Sequence, residues 1–210
     1  MSVAALFDAA FGNVVSGRTA TFTVRHPAGG VHRFEPERWC QDALPGDEAL
    51  LETCTGPTID VGCGPGRLVV ALTAAGTPAL GIDASPAAVR IARARGAAAL
   101  CRDVFGPLPG AGRWRHLLLA DGNVGIGGDP ARLLARCRDL IGPGGRIHAE
   151  LAAPGTPSWA GRTAVAGSPV RLPWAVLALD RLAAPAAAAG LRVLHTRTEA
   201  GRWFATLAAR

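Results

Sequence analysis

Residues 59–67 constrain the fold of this chain more than any other stretch. They join a short apolar run to glycines at positions 62, 64 and 66, and a periodic apolar segment, residues 68–75, follows. The run predicts a buried strand and the periodic segment predicts a helix, so the glycines lie on a strand-to-helix turn. Such a turn lets a ligand approach the backbone and directs free N–H groups towards it. We therefore expect a nucleoside-bearing cofactor here.

The spacing of the glycines discriminates between cofactors. A dinucleotide-binding turn reads Gly-x-Gly-x-x-Gly, and its third glycine would fall at position 67, which is Arg. The observed Gly-x-Gly-x-Gly, preceded by an acid, resembles the first motif of the class I S-adenosylmethionine (SAM) dependent methyltransferases, among them small bacterial enzymes of specialised metabolism. A tight turn in another α/β protein is the alternative. The resemblance covers residues 57–151 and implies that SAM contacts the motif residues Asp60, Gly62, Cys63, Gly64, Gly66 and Arg67.

Two further acids follow apolar runs in the order that this resemblance implies. Residues 79–83 end at Asp83, and residues 97–101 precede Asp103 and Val104. A carboxylate accepts two hydrogen bonds from adjacent ribose hydroxyls, and by resemblance Asp83, with Ala84 beside it, has this role. The resemblance assigns the adenine to Asp103 and Val104. A solvated Asp83 and a turn-forming Asp103 are the alternatives.

A fourth apolar run, residues 117–121, is typical of a central strand and leads into a Gly-rich stretch, residues 122–128. The resemblance places this strand end beside the sulfonium of SAM. It implies that Asp121 and Gly122 contact SAM and makes Asn123 a candidate catalytic residue. Asx turns that only shape the loop fit the sequence equally well.

Residues 146–151 alternate in polarity, so His148 and Glu150 share one face of a predicted fifth strand. Glu150 lies nearer the carboxyl end, where open α/β sheets bind ligands, and is predicted to help form the substrate pocket. A buried partner for an arginine is the alternative. His148 is the predicted general base if the acceptor is a hydroxyl.

The remaining segments complete the predicted fold. Residues 173–189 read as an Ala-rich helix, and residues 191–197 and 203–207 as an antiparallel hairpin. We predict a Rossmann-like α/β fold: a seven-stranded, mostly parallel sheet with helices on both faces and an antiparallel C-terminal hairpin. Residues 57–210 form the SAM-binding domain and residues 1–56 an N-terminal hairpin and lid, within one compact domain. Trp39 in the lid and Trp159 in a loop, residues 154–171, are predicted to line the acceptor site.

The amino-acid composition of the chain indicates which classes of partner to expect. The net charge of +6 comes from 22 basic residues, all arginine and dispersed along the chain, which is typical of a GC-rich coding sequence. We therefore expect no nucleic-acid partner, although basic clusters do bind phosphates. The five cysteines and five histidines show no metal-binding spacing, so we expect no metal. A carboxylate set such as Asp121, Asp129 and Glu150 is the alternative. No signal-like leader or membrane-spanning apolar stretch is visible, and we expect a cytoplasmic protein.

The predicted reaction is in-line transfer of the SAM methyl group to an oxygen, nitrogen or carbon atom of a small molecule, with S-adenosylhomocysteine (SAH) as the other product. The Asp-Pro-Pro-Tyr or Asn-Pro-Pro-Tyr motif of many nucleic-acid and protein methyltransferases is absent from residues 121–124, which disfavours RNA methylation. Two alternatives stay open. One is a SAM-binding enzyme that catalyses cyclisation or decarboxylation, and the other is a SAM-binding interaction module without turnover.

Overall fold

The computed structural model of the protein describes residues 3–27 and 29–210. Its strands form a seven-stranded and a four-stranded sheet. The strands, in chain order, are β1 (Phe22–Arg25), β2 (Val31–Phe34), β3 (Thr58–Val61), β4 (Ala79–Asp83), β5 (Ala99–Cys101), β6 (Trp114–Leu119), β7 (Ile141–Leu151), β8 (Trp159–Val165), β9 (Arg171–Val176), β10 (Leu191–Glu199) and β11 (Arg202–Ala209).

Seven α-helices are present in the described part of the chain, with two 3₁₀ segments, Asn123–Gly128 and Leu179–Arg181. The helices are α1 (Val3–Val15), α2 (Pro36–Trp39), α3 (Glu48–Leu51), α4 (Arg67–Ala74), α5 (Pro86–Ala94), α6 (Pro130–Leu140) and α7 (Ala183–Ala188). Ser85 caps α5 and Asp129 caps α6, each by accepting a hydrogen bond from a first-turn N–H. None of these helices has the length and apolarity needed to cross a bilayer.

The seven-stranded sheet has the order β10-β11-β7-β6-β3-β4-β5. The five strands from β7 to β5 are parallel, and β11 pairs antiparallel with both β7 and β10. The predicted fold class is therefore confirmed. From β3 the chain continues to β4 and β5 on one side of the sheet, and from β6 it continues to β7 on the other side. The strand order therefore reverses between β3 and β6, which is where ligands of open α/β sheets bind.

The core covers both faces of this sheet. Leu117 and Leu119 of β6 pack with Leu133 of α6 on one face, while Leu118 packs with Leu72 of α4 on the other. Burial on both faces explains why β6 is a continuous apolar run rather than an alternating one.

The four-stranded sheet has the order β2-β1-β8-β9 and joins distant parts of the chain. The predicted N-terminal hairpin is present, with Phe22 opposite Phe34. Two sequence-based expectations are wrong: residues 154–171 are not a loop, because they contain β8, and residues 173–189 are not one helix, because β9 precedes the short α7. The physical reason is pairing with β1, which places Val24 opposite Val165. Local periodicity does not record hydrogen bonds between segments so far apart in sequence.

Candidate functional site

The glycine turn between β3 and α4 has backbone conformations that side chains disfavour. Gly62 and Gly66 have φ angles of +74° and +81°, in the left-handed region. A Cβ atom at Gly66 would lie 2.9 Å from the Cβ atoms of Ala92 and Ala97. Gly66 therefore lets the turn pack closely against α5, while the rest of the turn faces a cavity.

Asp83, at the end of β4, connects this turn to the start of α5. Its Oδ2 accepts a hydrogen bond from the N–H of Gly64 at 2.9 Å, and its Oδ1 accepts one from the N–H of Ser85 at 2.8 Å. Burial raises the pKa of this carboxyl group, and the two backbone donors oppose that shift. A carboxylate has about four acceptor positions, so it can still accept hydrogen bonds from a diol in the cavity.

Asp60, on β3, is a buried acid with an unused acceptor. The residue is 2% exposed, and its Oδ1 has no hydrogen-bond partner among the residues that the structure describes. Burial raises the pKa of Asp60 to about 7, against the opposing effect of Arg67. A buried acceptor without a partner is costly to the fold, and Asp60 lines the cavity beside the glycine turn. The site is therefore complementary to a cationic or hydrogen-bond-donating ligand group.

The first cavity has a volume of about 670 Å³ and extends from the glycine turn to residues on α1, on the segment after β5 and on β9. It is lined by Asn123 and by all the predicted SAM contacts except Gly66 and Gly122: Asp60, Gly62, Cys63, Gly64, Arg67, Asp83, Ala84, Asp103, Val104 and Asp121. Gly66 packs against α5, and Gly122 lines a second cavity described below. The sequence motifs thus converge on one ligand-sized space.

Asp103 both shapes a turn and faces the first cavity, as the two sequence-based alternatives for it predicted. Its Oδ1 accepts a hydrogen bond from the N–H of Phe105 at 3.0 Å, which is an Asx turn. It also lines the first cavity. The carbonyl of the adjacent Val104 accepts a hydrogen bond from Nε of Arg136 at 2.8 Å, which fixes the backbone at this end of the cavity.

Helix α1 closes the first cavity, and the sequence analysis did not identify its contacts. Phe7 and Phe11 line the cavity. Asp8 accepts hydrogen bonds from the hydroxyl of Ser85 at 2.6 Å and from the N–H of Ala87 at 2.8 Å. Asp8 therefore attaches α1 to the first turn of α5, and only the three-dimensional packing reveals this.

Two arginines and three acids form a buried ionic network beside the glycine turn. Arg67 contacts Asp47 and lies 2.6 Å from Oδ2 of Asp121. Arg202 lies 2.9 Å from Asp47 and 2.7 Å from Glu150. Glu150 is therefore the buried arginine partner that its sequence allowed as an alternative. Asp47 and Arg202 were not predicted, because 155 residues separate them.

The network holds Asp121 in an unusual conformation. Its φ angle is +51°, which a non-glycine residue adopts only where surrounding contacts enforce it. The N–H of Asp121 donates to Oε2 of Glu150 at 2.7 Å, and burial is the largest influence on its carboxyl group, raising the pKa. Strain of this kind concentrates at functional sites.

Asn123 joins the Gly-rich loop to the glycine turn. Its Nδ2 donates to the carbonyl of Val61 at 3.0 Å and to that of Gly62 at 2.9 Å. A Cβ atom at Gly62 would lie 2.6 Å from this Nδ2. Asn123 therefore positions the turn through its amide nitrogen.

His148 lies away from the site, in a buried hydrogen-bond chain. The N–H of Thr55 donates to Nε2 of His116 at 3.2 Å, so His116 carries its proton on Nδ1, 3.0 Å from Nε2 of His148. His148 then donates from Nδ1 to the hydroxyl of Thr206 at 3.0 Å. Burial lowers the pKa of His148 to about 3, and His148 lines neither cavity. We therefore withdraw the prediction that it acts as the general base.

Two histidines of this hydrogen-bond chain also belong to a group of side chains that could be considered as metal ligands. Cys54, His116 and His148 have ligand atoms within 4.8 Å of one another. A metal on Nδ1 of His116 would require the proton to move to Nε2, where it would face the N–H of Thr55. The three side chains therefore fit a structural hydrogen-bond chain better than a metal centre.

The second cavity, of about 830 Å³, adjoins the first. Trp39, Glu150 and Trp159, the three residues predicted to bind the acceptor, all line it. Asp121, Trp39 and Trp174 line both cavities and form the wall between them. His32 and Trp174 line the second cavity as well. The sequence did not place them there, because the pairing of β1 with β8 and of β8 with β9 was not predicted.

Comparison with known proteins agrees with this geometry. Residues 59–145 match the profile of a family described as a methyltransferase domain. The matched residues include the glycine turn, β4 to β6 and α4 to α6. No curated protein sequence matches the chain.

Solved structures resemble this chain over most of its length. A SAM-dependent methyltransferase from Bacteroides fragilis, in complex with SAH, is 20% identical to this chain and superposes on it with a TM-score of 0.75. The match covers 96% of this chain and 93% of the Bacteroides chain. A 1,6-didemethyltoxoflavin N1-methyltransferase from Burkholderia thailandensis is 17% identical with a TM-score of 0.63, and the match covers 97% of this chain and 87% of the Burkholderia chain. The CcbJ methyltransferase from Streptomyces caelestis is 16% identical with a TM-score of 0.62, and the match covers 80% of this chain and 92% of the CcbJ chain. At these identities the likeness establishes the fold.

Proposed function

We propose that this protein transfers the methyl group of SAM to a small-molecule acceptor. The observation that carries the proposal is Asp60, a buried carboxyl group with an unused oxygen in a cavity built by the glycine turn. The α-ammonium group of SAM would supply the cation that this oxygen lacks. A carboxylate hydrogen-bonded to an ionised donor is among the stronger polar contacts in proteins.

The residues around the first cavity fit the other parts of SAM. The glycine turn would hold the amino-acid moiety, with Asp83 and Ala84 at the ribose and Asp103 and Val104 at the adenine. Bound SAM supplies a methyl group made electrophilic by the sulfonium. The chain's own contribution is alignment, which is worth up to roughly 7–11 kcal/mol in well-oriented reactions.

The loop after β6 would stand at the reacting end. Asp121, Gly122 and Asn123 lie where the two cavities meet, and their backbone is fixed by the ionic network and by the Asn123 amide. Trp39, Glu150 and Trp159 would line the acceptor site, and α1 would exclude water from the cofactor. Exclusion of water strengthens electrostatic interactions inside such a site.

Similar structures support a small acceptor without fixing the acceptor atom. The Burkholderia enzyme was crystallised with 1,6-didemethyltoxoflavin and is an N-methyltransferase. An O-methyltransferase from neocarzinostatin biosynthesis, 22% identical with a TM-score of 0.58, was crystallised with a dihydroxynaphthoic acid. It covers 74% of this chain, whereas this chain covers 49% of it.

We extend the proposal to a cytoplasmic location and to a site without a nucleic-acid partner. All five cysteines are unpaired, which is the usual state in a reducing compartment. Arg67 and Arg202, two arginines near the site, are neutralised by acids rather than exposed to phosphates.

The proposal is tested by calorimetry with SAM and SAH and by incubation with methyl-labelled SAM and a panel of acceptors. Asp83→Ala should weaken SAM binding by about 1–3 kcal/mol, because a buried charged acceptor is lost, whereas Asp139→Ala, on the exposed side of α6, should not. Label in the product supports methyl transfer. Product without label would indicate another reaction, and binding without product would indicate an interaction module; either would overturn the proposal.

A further inference from the structure

The two cavities occupy opposite sides of the point where the strand order reverses. The first cavity is built on the ends of β3, β4 and β5, and the second on the ends of β6 and β7 and the start of β11. If the first cavity holds SAM, the second is the adjoining space from which an acceptor reaches the methyl group, past the wall of Asp121, Trp39 and Trp174.

The walls of the second cavity are flat and aromatic. Trp159 is stacked on His26, with ring centroids 5.2 Å apart and an interplanar angle of 19°. Gly30 lies so close that a Cβ atom there would stand 2.3 Å from Cδ1 of Trp159. Trp174, on β9, packs edge-on against Phe34 with centroids 4.9 Å apart. Fixed indoles favour planar ligands, because stacked rings gain more than their buried area alone provides.

His32 is the nitrogen base in this aromatic wall. Its ring is stacked at 25° on Trp174, with centroids 6.3 Å apart, and packs edge-on against Phe34 at 4.7 Å. It lines the second cavity, and neither ring nitrogen has a hydrogen-bond partner within residues 3–27 and 29–210. Both nitrogens are therefore available to a ligand.

His32 is held in its neutral form. Burial lowers its pKa from the usual 6.5, so the imidazole is unprotonated at neutral pH and has a free lone pair. Charged groups of both signs line the same cavity. They come from β2, the residue that follows it, α2, the loop after β6, β7 and β11, and they are Arg33, Glu35, Arg38, Asp121, Glu150 and Arg202.

We propose that the second cavity binds a planar aromatic acceptor carrying an ionisable hydroxyl group and that His32 is the general base that accepts its proton. This inference rests on the proposed function. As the acceptor oxygen bonds to the methyl carbon, its O–H proton passes to His32, and the carbon–sulfur bond breaks with its electron pair retained by sulfur. His32 then releases the proton to solvent.

His32→Phe tests the role because it keeps a ring against Trp174 and removes the nitrogens. With 1-naphthol as acceptor, kcat should fall by roughly 10²- to 10⁴-fold, while His195→Gln, on the exposed edge strand β10, should leave kcat unchanged. His32→Gln serves as a second variant if His32→Phe does not fold. A kcat within twofold of wild type in the folded variant would show that His32 only packs, and would overturn the assignment.

The acidity of the acceptor gives an independent readout. Across substituted phenols from unsubstituted phenol to nitrophenol, the loss in His32→Phe should shrink towards threefold or less, because an acidic phenol is already ionised. The pH at which kcat rises should also move, from the titration of His32 in wild type to that of the acceptor in the variant. A loss that does not depend on acceptor acidity would contradict proton transfer to His32.

Binding of 1-naphthol to the SAH-loaded protein, followed by tryptophan fluorescence, separates this inference from the proposed function. Trp159→Ala should weaken binding about tenfold, whereas Trp114→Phe, remote from both cavities, should not. Failure of SAM and SAH to bind would overturn the proposed function. Normal SAM binding with no affinity for 1-naphthol, or transfer only to aliphatic amines, would overturn the aromatic assignment alone.

Discussion

At the scale of single residues, Asp60 shows how burial prepares a group for a ligand. Its carboxyl group is enclosed, one of its oxygens has no hydrogen-bond partner within the described part of the chain, and burial raises its pKa to about 7. A bound ammonium group would favour the ionised form and would satisfy that oxygen. The buried carboxyl group that costs stability while it lacks a partner would therefore provide affinity for a ligand.

We expect SAM affinity to depend on pH through Asp60. Below about pH 7 the affinity should fall by up to tenfold per pH unit as Asp60 takes a proton, and above about pH 8 it should fall again as the α-amino group of SAM, with a pKa near 7.7–8.0, loses its charge. Asp60→Asn should bind SAM weakly and lose the acidic limb. Calorimetry from pH 5 to pH 9 measures this, and an unchanged profile in the variant would refute the ammonium contact.

The raised pKa of Asp60 also makes the stability of the folded protein depend on pH. The pKa of Asp60 is higher in the folded protein than in the unfolded chain, where it is about 4. Its contribution to stability is therefore complete below about pH 4 and is lost as the pH rises through about 7. Urea denaturation at pH 8 should find ligand-free Asp60→Asn more stable than wild type. Equal stability of the two proteins at pH 8 would show that Asp60 ionises without cost.

At the scale of elements, α1 is held over the first cavity by the apolar packing of Phe7 and Phe11 and by the hydrogen bonds of Asp8. Asp8 accepts two hydrogen bonds at the start of α5, the helix that follows Asp83. The cover of the cavity and one of its walls are thus joined directly. Movement of α1 would break these two bonds and expose the cavity.

Asp8→Ala should accelerate release of SAH. Loss of hydrogen bonds to a helix N-terminus costs about 0.5–2 kcal/mol, which corresponds to a several-fold faster dissociation if α1 must open for release. Stopped-flow fluorescence measures the rate constant. Ser16→Ala is the control, because Ser16 is exposed just beyond α1 and its hydroxyl donates to the carbonyl of Gly12, within the same helix end. An unchanged rate in Asp8→Ala would show that SAH leaves by another route.

The second element-scale feature is the loop after β6. The sequence predicted its position and its glycines, and the structure adds the positive φ of Asp121 and the two bonds from Asn123. These contacts come from β7 and from the glycine turn, which are distant in sequence. The loop is therefore rigid for reasons that its own composition does not show.

At the scale of the whole molecule, the ionic network unites separate parts of the chain. Arg202 on β11 contacts Asp47 before α3 and Glu150 on β7, and Arg67 on α4 contacts Asp47 and Asp121. The N-terminal segment, the glycine turn and the antiparallel strands meet at these five side chains. The network therefore fixes the two cavities relative to each other.

Arg202→Ala should destabilise the protein by about 3–5 kcal/mol, because it leaves Glu150 without a counter-charge and Asp47 with only one of its two arginines. The Arg202 side chain is 6% exposed, so solvent compensates little. Arg192→Ala, on the exposed edge strand β10, should change stability by no more than about 0.5 kcal/mol. Urea denaturation at pH 7 compares them, and equal midpoints would show that water replaces the lost cation.

The sequence predicted the seven-stranded sheet and the first cavity well. The β3 turn, Asp83 and Asp103 are each recognisable from a few neighbouring residues, because an apolar run followed by a turn is a local pattern. His148 illustrates the limit of such patterns. Its alternation with Ile147 correctly gave its face of the sheet, but not its depth, and the neighbouring His116 and Thr206 bury it.

The sequence by itself determined the α/β fold, the strand-to-helix turn and the acids that face the first cavity, because hydrophobic periodicity and glycine placement act over a few residues. Only the tertiary structure decided the second cavity, the stacking of His32 on Trp174 and the pairing of Asp47 with Arg202. These features join residues from opposite ends of the chain. Their formation depends on which surfaces pack together, and that is a property of the whole fold.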